Sequence, residues 1–415
     1  NSENLVRLKQ QFAKYRDELD VHEFCHVMQQ HLAHEDPTTH EQIALIANLS
    51  ELFAQVDVNG DERMEWEELT SFIVEALNGG DLTITLPKYR PIEPVQDQTR
   101  LRSEQSIERV FYFEVLDLLL LCESPAPLVS IYHPKAALCS GELHGHSAEV
   151  LAAELIEGMA CVVTSGADLA MCFWDVGGTA PSWRLRQRAS VASSQLAMRW
   201  VSSGLKPALF TAGADGNVLM WDVCNLEILC TLTGHREGVT CLILLRQLKE
   251  LLGSASLDGT IRLWDLQQEP PRECHLLRGH ERGVQCLAFS GEYRHLFSGG
   301  LDHELLVWNP QSETVICSLR NHLAPISAVE AIQGTPQVVS ADVVGFICVW
   351  DCRSLSCSQK LNLQIAVGHQ LTSMALLPKH RQIVSVARRL HVFEGPEEPE
   401  AGLTDTQPLA AGLYN

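Results

Sequence analysis

The chain has 415 residues, a formal net charge of −21, 46% hydrophobic residues and 6% aromatics, an ordinary globular composition. Its length suits two or three domains or one large repeat domain. The charge balance argues against nucleic-acid or anionic-membrane surfaces, which need clustered Lys and Arg, and no apolar run reaches the roughly 18–20 residues of a membrane-spanning helix.

The chain begins Asn1-Ser2-Glu3-Asn4, without Met and without the basic and apolar regions of a signal peptide, which points to a trimmed chain. Residues 1–81 hold 17 Asp and Glu against 5 Lys and Arg, so much of the negative charge is concentrated here. Two helical pairs are expected in residues 1–77. In the second, Ile43, Ile46, Leu49, Leu52, Phe53 and Val56 recur at three- and four-residue steps, as do Leu69, Phe72, Ile73, Ala76 and Leu77 after an acidic loop. That loop, Asp57-Val58-Asn59-Gly60-Asp61-Glu62-Arg63-Met64-Glu65-Trp66-Glu67-Glu68, resembles the EF-hand calcium loop. The resemblance implies Asp57, Asn59, Asp61, Arg63 (through its carbonyl), Glu65 and Glu68 as ligands of one calcium ion. Met64, at the apolar eighth position, is expected to pair with a partner loop. Glu62 stands where the loop reserves Gly for positive φ, a departure that costs on the order of 1 kcal/mol and weakens the site.

The partner would lie in residues 5–34, with Leu5, Leu8 and Phe12 entering and Val21, Phe24, Val27, Met28 and Leu32 leaving. Its intervening segment, residues 14–20, is too short to ligand a cation, so it reads as a metal-free structural hand. His22, Cys25, His26, His31 and His34 read as a polar helix face, because no second ligand pair at a structural-zinc spacing follows. Residues 78–104 form a linker stiffened by Pro87, Pro91 and Pro94. Within it, residues 82–86 alternate apolar and polar side chains and are a candidate closing strand for the last repeat; residues 409–414 are the rival.

Residues 105–394 are a repeat. Trp174, Trp221, Trp264, Trp308 and Trp350 are 47, 43, 44 and 42 residues apart, and the same period reaches Tyr132 and Phe393. Four of the five Trp are followed by Asp. Asp168, Asp215, Asp258 and Asp302 each lie six residues before their Trp, and His146, His235, His280 and His322 lie 28 or 29 before theirs. Short apolar stretches of period two fill the gaps, reading as four strands per repeat. The pattern departs in places: the third repeat lacks the His, the sixth has Val344 six before Trp350 with Asp342 displaced to eight before, the seventh has Phe393 and the first Tyr132. Most of the 14 Cys sit inside apolar runs with no short repeated spacing, as in a reducing compartment. Arg188, Arg388 and Arg389 read as solvated loop charges. Residues 395–415 are an acidic tail that looks like the run-in to another repeat.

These marks resemble the WD40 family, whose repeats of about 40–45 residues build β-propellers. By that resemblance each His, Asp and Trp of a blade forms a buried hydrogen-bonded set. The order of modules implies a multidomain protein, an all-α EF-hand pair followed by an all-β seven-bladed WD40 β-propeller, similar to the EF-hand/WD-repeat proteins of cilia and flagella. That resemblance implies a non-enzymatic scaffold, a structural component of the axoneme with several protein partners. No nucleic acid, membrane or small-molecule substrate is expected, and no metal triad, Gly-rich phosphate loop or activated nucleophile stands out. The alternative is a soluble calcium-linked signalling or ligase adaptor that uses the propeller as a peptide-binding platform.

Overall fold

The computed structural model describes residues 106–394 apart from 125, 135–137, 177–182, 203–205, 247–249, 364, 366–368, 381 and 388, together with 18–21, 23, 24, 27, 63–65, 93 and 94. Among the described residues are seven four-stranded sheets and one two-stranded ladder. Sheet 1 runs Ser106–Phe113, Leu118–Ser124, Leu128–His133 and Leu138–Leu143; sheet 2 runs Val150–Ile156, Cys161–Gly166, Ala170–Asp175 and Arg184–Ser190. Sheet 3 is Gln195–Val201, Ala208–Gly213, Val218–Asp222 and Glu227–Leu232, and sheet 4 is Val239–Leu245, Leu251–Ser256, Thr260–Asp265 and Arg272–Arg278. Sheet 5 is Val284–Ser290, His295–Gly300, Leu305–Asn309 and Thr314–Leu319, and sheet 6 is Ile326–Ile332, Gln337–Asp342, Phe346–Asp351 and Ser356–Asn362. Sheet 7 has Ser373–Leu377, Gln382–Ala387 and Arg389–Glu394.

The chain divides into two compact units, one of Asn1–Tyr89 with Leu196–Gln364, the other of Arg90–Gln195 with Ile365–Asn415. In the first, sheets 3 to 6 stack in sequence order, the first strand of sheet 4 against that of sheet 5, and that of sheet 5 against that of sheet 6. In the second, the first strand of sheet 7 packs on that of sheet 1, which packs on that of sheet 2. The second strands explain the stacking. Those of sheets 2, 3, 4 and 6 are buried at every position, as strands in the interior of a stack are. Between sheets 4 and 5, for example, Leu245, Leu263, Leu287, Phe289, Leu296 and Trp308 form one cluster.

Two local devices repeat with the Trp period. The residue five before each Trp takes positive φ to close the turn between second and third strands: Leu169 at 56°, Gly216 at 84°, Gly259 at 79°, His303 at 72° and Gly345 at 99°. Glycine adopts this without strain, whereas Leu169 and His303 carry a cost of about 1 kcal/mol that the fixed turn imposes. A β-bulge also precedes each Trp in the pairing of third and fourth strands, between Phe173 and Trp174, Met220 and Trp221, Leu263 and Trp264, Val307 and Trp308, and Val349 and Trp350. Each bulge leaves one extra residue on the outer strand and re-aims its neighbours.

The fold class is corrected at the N-terminus. The expected all-α EF-hand pair is not what the described residues form. They show a short ladder, Glu18–Asp20 against Arg63–Glu65, with Leu19 opposite Met64, and four helical positions, Val21, Glu23, Phe24 and Val27. Met64 between two charged residues has the alternation of a strand, which the ladder uses. Apart from those positions and a 3-10 turn at Pro378–His380, the described fold is all-β. In sheet 7 the outer place beside Arg389–Glu394 is taken by Glu93–Pro94 from the linker. A proline is compatible there because the strand is at an edge. Residues 82–86 and 409–414, the two candidates for that place, lie outside the described residues.

Candidate functional site

The repeated His, Asp and Trp converge as sets, and each set includes a fourth member, a hydroxyl ten residues before the Trp. In sheet 4 the Trp264 Nε1–H donates to Ser254 Oγ at 2.9 Å, Ser254 Oγ lies 2.9 Å from His235 Nε2, and His235 Nδ1 lies 3.1 Å from Asp258 Oδ2. Sheet 5 repeats this through Trp308, Ser298, His280 and Asp302 with 2.7, 2.7 and 2.9 Å. Sheet 6 uses Trp350, Ser340, His322 and Asp342 with 2.7, 2.7 and 3.0 Å, and sheet 2 uses Trp174, Thr164, His146 and Asp168 with 2.9, 2.8 and 3.0 Å. A neutral imidazole that donates from Nδ1 to the carboxylate must accept at Nε2, so the hydroxyl donates to it while receiving the indole N–H. The proton chain is therefore directed and every member is satisfied.

The Asp also ties down the turn. Asp258 accepts from the backbone N–H groups of Arg236 and Thr260, both at 2.9 Å. Asp302 does the same for Glu281, and Asp168 for Ser147. Arg188, read from the sequence as a loop charge, lies in the outer strand of sheet 2 and pairs with Asp168 at 2.9 Å. Arg388 lies outside the described residues, and Arg389 opens the third strand of sheet 7.

The connectivity Asp–His–Ser is that of a hydrolytic triad, and the resemblance ends there. A triad serine presents a free hydroxyl to substrate; here the hydroxyl is occupied by the indole, Ser254, Ser298, Ser340 and Thr164 are wholly buried, and the set recurs in four sheets. Burial disfavours the thiolate at three of the thiols, pushing Cys122 and Cys352 up to about 12 and Cys172 up to about 11.

Where a sheet lacks the full set, the remaining members keep what bonds they can. Sheet 3 has no His, yet Trp221 still donates to Thr211 at 3.0 Å, and Asp215 turns to Asn217 instead. In sheet 7 the aromatic is Phe393, which has no N–H to give. It stands opposite Ile383, and Ser385, two residues on as Ser254 is from Leu252 in sheet 4, keeps a buried hydroxyl without a hydrogen-bond partner among the described residues. Sheet 6 shows why the displaced Asp works. In sheet 5 the position eight before the Trp is Gly300, and a Cβ there would meet both Asp302 Oδ1 and His280 Nδ1, the latter at 2.5 Å. A side chain starting at that position points at the imidazole, and Asp342 starts there.

Electrostatics follow from burial against hydrogen bonding. Burial pushes the Asp258 carboxyl up, but the Thr260 hydroxyl, two backbone N–H groups and His235 outweigh it and bring it down to about 2. Burial holds the His235 imidazole below its ordinary range despite the Asp258 charge. The depressed histidine contributes stability that is full above its ordinary value near 6.5 and falls as pH drops below it. The depressed carboxyl contributes stability that is full above 3.8 and is lost as pH falls toward about 2. Thermal melts from pH 8 to 2 are therefore expected to show two stages of loss, and the advantage of wild type over Asp258→Asn is expected to shrink across the second stage. An advantage that stays constant between those values would contradict this assignment.

The calcium expectation is corrected. Arg63 and Glu65 lie in the short ladder, while Asp57, Asn59, Asp61 and Glu68 lie outside the described residues. Among the described residues no group of three or more His, Cys, Asp or Glu could hold a metal ion, and Glu62 occupies the loop position that the tight turn of a calcium site reserves for Gly.

The outer strands and turns leave apolar side chains exposed. On the outer strands, the residue opposite the Trp and the bulged residue face water: Ile228 and Leu229 in sheet 3, Val315 and Ile316 in sheet 5, Leu185 and Arg186 in sheet 2. Leu323 is 81% exposed beside His322, and Val344 is 53% exposed in the turn that Asp342 vacates.

The WD domain, G-beta repeat family (WD40) matches residues 226–265 and 271–309. Each match runs from the outer strand of one sheet through three strands of the next, so the sequence repeat is offset from the sheet by one strand. The chain is 23% identical over 93% of its length to the Cilia- and flagella-associated protein 337 B of Tetrahymena thermophila, covering 35% of that protein. It is 23% identical over 57% of its length to the Autophagy-related protein 16 of Arabidopsis thaliana, and 34% identical over 26% to the WD repeat and SOCS box-containing protein 1 of Xenopus tropicalis, covering 44% and 25% of those proteins. The chain thus spans less than half the length of each of these relatives. Residues 226–265 and 271–309 match the WD40 repeat model, and domains built from such repeats generally serve as non-catalytic platforms for protein partners.

Proposed function

We propose that this chain is part of a protein scaffold of the ciliary or flagellar axoneme. The observation that supports this most is the breadth of its similarity to the Tetrahymena cilia- and flagella-associated protein, which runs across 93% of the chain and not only its repeat core. The blades suit such a role. Their polar sets are buried and satisfied, so the sheets are stiff, and the outer strands and turns vary from blade to blade and offer several different surfaces. The free thiols, Cys122 to Cys357 among the described residues, fit a reducing cytoplasmic setting.

The test is localisation. A tagged form of the full protein expressed in ciliated cells is expected along the axoneme and is expected to stay there through detergent and high-salt extraction. Recovery in a soluble complex with ubiquitin-ligase subunits, absent from the axoneme, would replace this reading with the adaptor reading.

A further inference from the structure

We propose that the outer edge of sheet 2 docks an acidic segment of a partner protein, held by Arg184 and Arg186 with Leu185 between them. The inference names one surface of the scaffold and rests on that reading. The strand Arg184–Ser190 reads Arg-Leu-Arg-Gln-Arg-Ala-Ser, three guanidiniums and no carboxylate, in a chain of net charge −21. It is the last strand of its sheet, with a neighbour on one side only among the described residues, and six of its seven residues are exposed.

The other outer strands differ. That of sheet 3 carries one charge, Glu227, and that of sheet 5 carries none. In sheet 4, Arg272 and Arg278 are accompanied by Glu273, which is already paired with Arg262. In sheet 6 the Lys360 ammonium donates to the Asn321 carbonyl at 2.7 Å. A charged edge that only deters strand pairing needs one such residue; three arginines of one sign are more than that purpose asks.

The three are not equivalent. Arg188 is committed to Asp168. Arg186 is the bulged residue, displaced from the ladder toward solvent, and its nearest carboxylate, Asp175, is at 3.9 Å with both side chains about half exposed. Arg184 forms no ion pair among the described residues, and residues 177–182 before it, Gly-Gly-Thr-Ala-Pro-Ser, contain no carboxylate. Two planar forks are thus available for bidentate contacts with carboxylates. Leu185, 42% exposed between them, offers an apolar foothold. The bulge at Arg186 interrupts the ladder, so side chains and not an added strand carry the recognition.

The full-length protein would be titrated against a short fluorescent peptide centred on Glu-Leu-Glu, with Lys-Leu-Lys in the same frame and a short DNA duplex as comparisons, read by anisotropy. Saturable binding of the Glu peptide is expected, with none of the Lys peptide. Arg184→Glu/Arg186→Glu is expected to weaken it by about tenfold or more, since two exposed ion pairs become repulsive. Both side chains are solvent-facing, so the melting temperature should be unchanged; Arg186→Ser alone gives a milder second variant with a smaller loss. Failure to bind the Glu peptide, equal binding by the charge-reversed protein, or duplex binding as tight as the peptide would each overturn the proposal, the last by showing a general polyanion surface. Peptide failure with axonemal localisation intact removes this edge alone; peptide binding without axonemal localisation removes the axonemal reading alone.

Discussion

Asp342→Ala is expected to lower the unfolding free energy by about 3–5 kcal/mol, because four hydrogen-bond donors lose their acceptor at roughly 1 kcal/mol or more each. Asp342 and His322 are both wholly inaccessible through their side chains. Beyond the imidazole at 3.0 Å, the carboxylate accepts from the backbone N–H groups of Val344, Gly345 and Phe346 at 3.1, 3.0 and 2.9 Å. Alanine removes the acceptor of all four donors, and the bonds it deletes from His322 and Gly345 are buried ones. Urea unfolding against wild type measures the loss. A second variant separates charge placement from general damage. The turn is the same in sheets 5 and 6: Leu301 N bonds Gly283 O where Val343 N bonds Pro325 O, and His303 and Gly345 share positive φ. Asp342→Gly with Val344→Asp therefore rebuilds the Gly300 and Asp302 arrangement, and is expected to recover at least half of the loss. No recovery would show that the two carboxylate positions are not interchangeable.

That interchangeability also shows which parts of the blades could be read from sequence. The Trp period and the His and Asp marks are visible because those residues are rare or strongly spaced, and the structure brings them together as expected in sheets 2, 4 and 5. Asp342 looks like a loss when read by spacing, because spacing counts backbone positions whereas the imidazole responds to where an oxygen arrives. Thr164, Thr211, Ser254, Ser298 and Ser340 were equally regular, each ten residues before its Trp. Ser and Thr are too common for that regularity to announce itself without the Trp as origin. The strand at Glu93–Pro94 is hidden for another reason: it is two residues long and contains a proline, which strand propensity counts against it. At the N-terminus the helical spacing extends over many residues, whereas the alternation around Met64 that forms the ladder spans only three.

Trp308→Ala is expected to cost about 3–5 kcal/mol. Trp308 is wholly buried, the largest such side chain among the described residues, and lies in the cluster shared by sheets 4 and 5. Its ring is closely fitted: a Cβ on Gly279 would stand 2.7 Å from its Cη2, so the Gly of Gly279-His280 is there to admit the indole. Truncation removes those contacts and leaves a cavity whose walls are strands already fixed by their ladders, which limits collapse. Trp308→Phe is a milder truncation. It keeps a six-membered ring but deletes the N–H given to Ser298, whose hydroxyl remains bonded to His280 at 2.7 Å, together with part of the outer ring that Gly279 admits. Because no buried donor is stranded and the cavity is small, about 2 kcal/mol is expected. Ile316→Ser, on the exposed outer strand of the same sheet, is expected to change stability by no more than about 0.5 kcal/mol. Urea unfolding of the three variants should rank them in that order. If Trp308→Phe cost as much as Trp308→Ala, the N–H and the outer ring atoms that phenylalanine lacks, and not the bulk of a buried aromatic ring, would be what holds the blade.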